Sequence, residues 1–161
     1  MPLVTLTNEQ MDRCHVETLR RQKSTTGNKQ KWEDGKNRYE IDLVGCLGEL
    51  AVSLYTNLEW VAEGNDKDVG DVKGLEVRTA AYQDNPNPKY TLCCRPKDKD
   101  AIYVLCIAKA NEVVVAGWAS KWQVMNLGKP VFQKGTYGLE RSKLYNMADL
   151  QEVLEFEGRP S

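Results

Sequence analysis

Asp68-Val69-Gly70-Asp71-Val72-Lys73-Gly74-Leu75-Glu76-Val77-Arg78-Thr79 is the stretch to which the rest of the chain answers. It reads as a strand ending at Asp71, a tight connection through Lys73-Gly74 and a second strand from Leu75 onward, because glycine takes φ > 0 in such a turn without Cβ strain. In the second strand Glu76, Arg78 and Ala80 share one face, while Leu75, Val77 and Thr79 take the other. Asp71 and Glu76 then stand as cross-strand neighbours, with Cβ atoms roughly 4.5–5.5 Å apart. Two carboxylates that close repel unless a proton or a cation sits between them. Oxygen-only ligands favour a hard cation such as Mg²⁺ or Mn²⁺. Charged residues near a turn also make a solvated strand edge, and spacing alone does not separate these readings.

Upstream, residues 39–57 predict a helix. Leu43, Leu47, Leu50 and Leu54 recur at helical spacing, and Val44, Ala51 and Tyr55 widen the apolar stripe. Gly45 and Gly48 each cost up to about 1 kcal/mol relative to Ala inside a helix, so a close approach of neighbouring backbone is expected there. Glu49 lies beside these small residues and needs a partner if buried. The expectation is that it points toward Asp71 and Glu76; exposure to solvent is the alternative.

Downstream, 83–89 reads as a loop with Pro86 and Pro88, and 90–94 as a short strand. Residues 101–108, AIYVLCIA, form a continuously apolar strand buried on both faces. A hairpin over 109–111 leads into a Val-rich strand at 112–118, and these two strands should be the sheet centre. Residues 119–125 suggest a short helix capped by Ser120, with Trp118 and Trp122 packing one turn apart. The segment 128–138 reads as loop, and a last helix is expected around 147–155.

At the other end, Thr7-Asn8-Glu9-Gln10 is a capping-box pattern that opens a helix running to about Arg21. His15, the single histidine, lies in it and reads as a packing or surface residue; a mechanism needing two histidines is excluded. From 20 to 38 the chain is polar, with seven basic residues against two acidic ones, and Gly27, Gly35 and a Ser-Thr-Thr run predict a basic flexible loop. Such a loop is either a solvated connection or a phosphate-contacting arm, in which Trp32 stacks on a base or sugar. The candidate nucleic-acid contacts are Arg20, Arg21, Lys23, Lys29, Lys31, Lys36 and Arg38, joined by Lys73 in the turn and Arg95 after the 90–94 strand.

The 161 residues suit one domain over 1–161 with a core that needs no staples. With 22 basic and 23 acidic residues, nothing global marks a polyanion or membrane binder, so any such site is local. Five cysteines, an odd number without a CxxC pair, read as reduced packing thiols and argue against a zinc site. No long apolar run is found at the start or elsewhere, so a cytoplasmic protein without membrane contact is expected.

The order of these parts carries a resemblance. Gly45-Cys46-Leu47-Gly48-Glu49-Leu50-Ala51 on a helix, Gly70-Asp71 at a strand end, Glu76-Val77-Arg78-Thr79 in the next strand, then Asp100-Ala101-Ile102-Tyr103-Val104-Leu105 and Val115-Ala116-Gly117-Trp118 follow one another. This arrangement resembles the PD-(D/E)XK nuclease superfamily, the restriction-endonuclease-like fold, and more narrowly its small phage-type members. It covers roughly residues 39–118, about half the chain. The resemblance implies an α/β (or α+β) core with a mixed central sheet flanked by helices, and cleavage of DNA phosphodiesters with Mg²⁺ or Mn²⁺. In a phage-encoded protein the compartment is the host cytoplasm.

Carried over by residue, the resemblance makes Asp71 and Glu76 metal ligands. Glu49 becomes a third acid reaching the metal directly or through water, and Arg78 the catalytic cation. Two departures stand out: Arg78 occupies the usual Lys position, and Gly70 the usual Pro position. A guanidinium stays protonated and takes no proton from water. It still holds a scissile phosphate and offsets charge in the transition state, leaving the attacking hydroxide to the cation's effect on water. Lys73 is an alternative cation, and in the non-catalytic reading Arg78 only neutralises Glu76 or Glu49. The second function class is therefore a catalytically silent nuclease-fold module that binds DNA or another protein. Pairing of two chains into a homodimer is left open.

Overall fold

The structure is a computed structural model that describes residues 2–24, 38–61, 71–84, 89–131 and 134–157. In chain order it forms β1 (Leu3–Thr5), α1 (Asn8–Ser24), α2 (Arg38–Thr56), β2 (Leu75–Ala81), β3 (Thr91–Cys94), β4 (Ile102–Lys109) and β5 (Glu112–Ser120). There follow α3 (Lys121–Leu127), β6 (Lys129–Pro130), β7 (Tyr137–Glu140), a 3-10 turn (Arg141–Lys143) and α4 (Met147–Glu157). The central sheet has the order β1-β5-β4-β2; β2 runs parallel to β4 and the other pairs are antiparallel. This is an α/β fold with a mixed central sheet and helices on both faces. Among the described residues, no helix is long and apolar enough to cross a membrane.

The two central strands follow from their sequences. In β4, Val104, Cys106 and Ala108 face the layer of α1, α2 and α4, while Tyr103, Leu105 and Ile107 face the other side. Both faces are covered, which is why the strand is apolar throughout. In β5 the alternation breaks: Leu105 pairs with Gly117 but Cys106 pairs with Val115, leaving Ala116 as an extra residue. The bulge shifts the phase, so that Val115 and Trp118 both face the helical layer while Ala116 and Ala119 face away.

On the far side of the sheet lies a second, antiparallel sheet of order β3-β7-β6, with α3 beside it. The segment 128–138, expected as loop, contributes β6 and the start of β7. Glycine masks the strand there: a Cβ at Gly138 would lie 2.4 Å from Thr91 Cγ2, so the paired strand tolerates no side chain. β1 was also missed, since three residues carry no readable alternation; it is fixed by pairing with β5.

The expected capping box at Thr7 forms, and the expected Ser120 cap proves to be a capping box as well. Gln10 N–H donates to Thr7 Oγ1 at 3.2 Å and Thr7 N–H to Gln10 Oε1 at 2.8 Å, and Ser120 with Gln123 does the same for α3. Helix α1 runs to Ser24 and α2 begins at Arg38. The expected loop over 20–38 is thus corrected at both ends: Arg20, Arg21 and Lys23 are helical, as is Arg38, while Lys29, Lys31, Trp32 and Lys36 lie outside the described residues.

Helix α2 is sandwiched between α1 and β2, so its burial wraps around Cys46 to Val52 rather than following one stripe. Leu54 is correspondingly 44 % exposed, against expectation, and so is Trp122, at 63 %. Gly48 explains the close packing of α2: a Cβ there would fall 1.7 Å from Thr79 Oγ1 and 2.8 Å from Thr79 Cβ. Gly48→Ala should therefore destabilise the protein by about 1–3 kcal/mol despite the better helix propensity of Ala. Adding Thr79→Ala, which removes the 1.7 Å contact, should restore part of the loss in urea unfolding. A Gly48→Ala variant more stable than the parent would refute this packing.

Candidate active site

The hairpin forms as its sequence implies. Val72 and Leu75 exchange backbone hydrogen bonds of 3.2 and 2.6 Å around Lys73-Gly74, and Gly74 has φ +86°. That pairing leaves Asp71 and Glu76 next in register across the turn. A further bridge, Trp60 to Val72, ties the chain leaving α2 to the same hairpin. Val61 N–H donates to Asp71 O at 3.1 Å and Lys73 N–H to Glu59 O at 2.9 Å.

Because β2 is the edge of the central sheet, its outward N–H groups need partners other than a strand. Val77 N–H finds the Asp71 carboxylate at 2.9 Å. This bond folds Asp71 back over β2, onto Glu76. Burial pushes the Asp71 carboxyl up to about 6; the Val77 N–H pulls against that shift, and the charge of Glu76 and a hydrogen bond to its carboxyl add to it. Arg78, two residues along, lowers it.

Glu49 reaches the same neighbourhood from α2. It is only 6 % exposed. Its Oε1 accepts from Arg21 Nη2 at 2.7 Å and from Trp60 Nε1 at 3.0 Å, and its Oε2 from Arg21 Nη1 at 3.2 Å. Burial raises its carboxyl above the ordinary range, the Arg21 hydrogen bonds oppose that, and the charge on Asp71 raises it further. Glu49 thus feels the charge of Asp71, and Asp71 that of Glu76, but among the described residues no three such groups cluster closely enough to hold a metal ion, and Glu49 is committed on both oxygens to Arg21 and Trp60.

The raised Asp71 carboxyl sets a pH dependence. Its folded value, about 6, lies above the ordinary 3.8, so the native state holds the proton more tightly than the unfolded chain. The stability this supplies is complete below about pH 4 and is lost as the pH rises through about 6. In EDTA, the melting temperature of the wild type relative to Asp71→Asn should fall between pH 5 and pH 7. A difference independent of pH would mean that the Asp71 carboxyl is not raised by its surroundings.

Arg78 does not neutralise Glu76 or Glu49. Its guanidinium stands 3.6 Å from Asp98 Oδ2, an ion pair longer than a hydrogen bond, and lies 5.0 Å from the Tyr103 ring centroid. Among the described residues Glu76 pairs with Lys99, whose Nζ lies 3.9 Å from Oε1. Neither Asp98 nor Lys99 is among the candidate site residues that the sequence suggests. The readable signal was a dense charge cluster, Arg95 to Asp100, directly before a buried strand. Here it is a pinned turn: Arg95 N–H donates to Asp98 Oδ2 at 2.8 Å, and Lys121 Nζ donates to the carbonyls of Pro96 and Asp98.

Comparison with protein-family models, with curated proteins and with solved structures finds no match. The reading of this site rests on its own chemistry.

The basic residues expected to touch nucleic acid divide by their neighbours. Arg20 pairs with Glu17 at 2.6 Å, Arg21 bridges Glu17 and Glu49, and Arg38 pairs with Asp42 at 3.3 Å. Lys23 lies exposed near the end of α1, and Lys73 is exposed in the turn. Arg95 pairs with Asp98 at 3.8 Å. The cysteines are all free. Burial pushes the thiols of Cys14 and Cys46 up to about 12 and 11, which suits packing and not nucleophilic attack. His15 contacts the Tyr39 hydroxyl, a tie between α1 and α2.

Proposed function

We propose that the protein is a metal-dependent DNA nuclease of the PD-(D/E)XK type. The observation that carries the reading is the Asp71–Glu76 pair: two carboxyls next in register across a turn at a sheet edge, Asp71 folded back over the strand by the Val77 N–H, with burial chiefly pushing its carboxyl up to about 6. A divalent cation between the two carboxylates would relieve their repulsion, and all-oxygen donors suit Mg²⁺ or Mn²⁺. Asp71 and Glu76 are the residues to hold it directly. Glu49, already bonded to Arg21 and Trp60, acts through water or by keeping the local charge negative.

When bound, the cation supplies Lewis-acid charge on the phosphate and lowers the pKa of water. The chain's own groups do the rest. Val77 N–H orients Asp71. Arg78, braced by Asp98 and Tyr103, presents a permanently charged fork to a phosphate oxygen and offsets charge accumulating on phosphorus. Lys99 balances Glu76.

The test is incubation of plasmid, linear duplex and single-stranded DNA with Mg²⁺ or Mn²⁺, with EDTA as control. Metal-dependent products support the nuclease. No product from any substrate, with DNA binding retained, leaves the silent DNA-binding module instead.

A further inference from the structure

Beside the acid pair, between the β2–β4 edge and the second sheet, lies a cleft of about 410 Å³, within the range of small-ligand sites, on the order of 300–1,000 Å³. Arg78, Arg95 and Asp98 stand among its walls with Ala80, Leu105 and Thr136. Two features point to an occupant. The two guanidiniums face a single carboxylate, which itself accepts the Arg95 N–H, so the group keeps one net positive charge for an anion. Thr136 is 6 % exposed, and its hydroxyl has no hydrogen-bond partner among the described residues. A buried hydroxyl without a partner costs on the order of 1–3 kcal/mol, which a ligand polar atom would recover.

The turn 95–98 is held by Lys121, so Arg95 and Asp98 are preorganised. The apolar floor, Ala80 and Leu105, suits a flat ring, and a charged rim with a polar point inside suits a sugar-phosphate and a base edge.

Resting on the nuclease reading, we propose that this cleft takes one unstacked nucleotide of the DNA strand, adjacent to the phosphate that Arg78 holds. A paired, stacked nucleotide does not enter a cleft of this size, and unstacking costs least in a strand that is already single. The substrate class is therefore DNA with unpaired nucleotides, and intact duplex is the poorer substrate.

Binding is measured in EDTA, so that it does not depend on cleavage. Fluorescence anisotropy with a labelled single-stranded oligonucleotide and with the matching duplex is expected to show at least tenfold tighter binding of the single strand. Deoxyadenosine monophosphate at millimolar concentration should compete. Ala80→Met, which fills the cleft, and Thr136→Val, which removes the hydroxyl, should each weaken single-strand binding with little effect on the duplex. Arg95→Gln, an exposed change that the fold tolerates, provides the same readout if Ala80→Met fails to fold. Equal affinity for both forms, or unchanged single-strand binding in Thr136→Val and Arg95→Gln, overturns the proposal. Metal-dependent cleavage by the wild type is scored separately: its absence with cleft binding intact strikes the nuclease, and its presence with cleft binding unaffected by these variants strikes the cleft.

Discussion

Asp71→Asn and Glu76→Gln are expected to lose DNA cleavage in Mg²⁺ by at least on the order of 10²–10³-fold, the scale for removing one hydrogen-bond donor from a preorganised site, which loss of a charged ligand should match or exceed. The same changes should raise stability in EDTA at pH 8. An ionised Asp71 in the folded protein is held against burial and against Glu76, and the shift from 3.8 to about 6 caps the relief at about 3 kcal/mol. Asparagine keeps an oxygen to accept the Val77 N–H, so the edge of β2 stays satisfied. A chain of this size gains roughly 2–4 °C in melting temperature per kcal/mol. Activity and stability moving in opposite directions separates a lost ligand from a damaged fold. Full cleavage by either variant would place the chemistry elsewhere.

Arg21→Ala should destabilise the protein by about 2–4 kcal/mol in urea unfolding. The expected loss comes less from a vanished attraction than from Glu49, which would remain ionised and buried against Trp60 without its cation. The lower part of the range applies because the Arg21 side chain keeps 27 % of its surface in water, where the pair is screened. Removing the charge as well, in Arg21→Met with Glu49→Gln, should recover most of the stability. The loss in Arg21→Ala should also shrink as the pH falls and Glu49, whose carboxyl burial already raises, takes up a proton. A cost below about 0.5 kcal/mol would mean that Glu49 is neutral at pH 7, with Arg21 contributing only surface packing.

The arginine pair illustrates where a sequence reading loses its grip. Arg20 and Arg21 were grouped with Lys29, Lys31 and Lys36 because they are adjacent in a basic run. The helix continues past them, and the 100° step between residues sends Arg21 inward to Glu49. Linear charge density does not say which side of a helix a charge takes. Arg78 is the converse case. Its strand face was readable by alternation, whereas its partners, Asp98 and Tyr103, arrive from a turn and a neighbouring strand.

Local chemistry alone settled the elements whose signals are short-range: the capping boxes at Thr7 and Ser120, the Lys73-Gly74 turn with its Asp71–Glu76 register, and the doubly buried β4. Each depends on atoms within a few residues or on a periodicity that one strand displays. The second sheet, the Arg21–Glu49 clasp and the cleft beside Arg78 emerged only in three dimensions. Their energies belong to contacts between segments far apart in the chain, such as the Cβ that Gly138 cannot carry beside Thr91, and no window of sequence contains both partners.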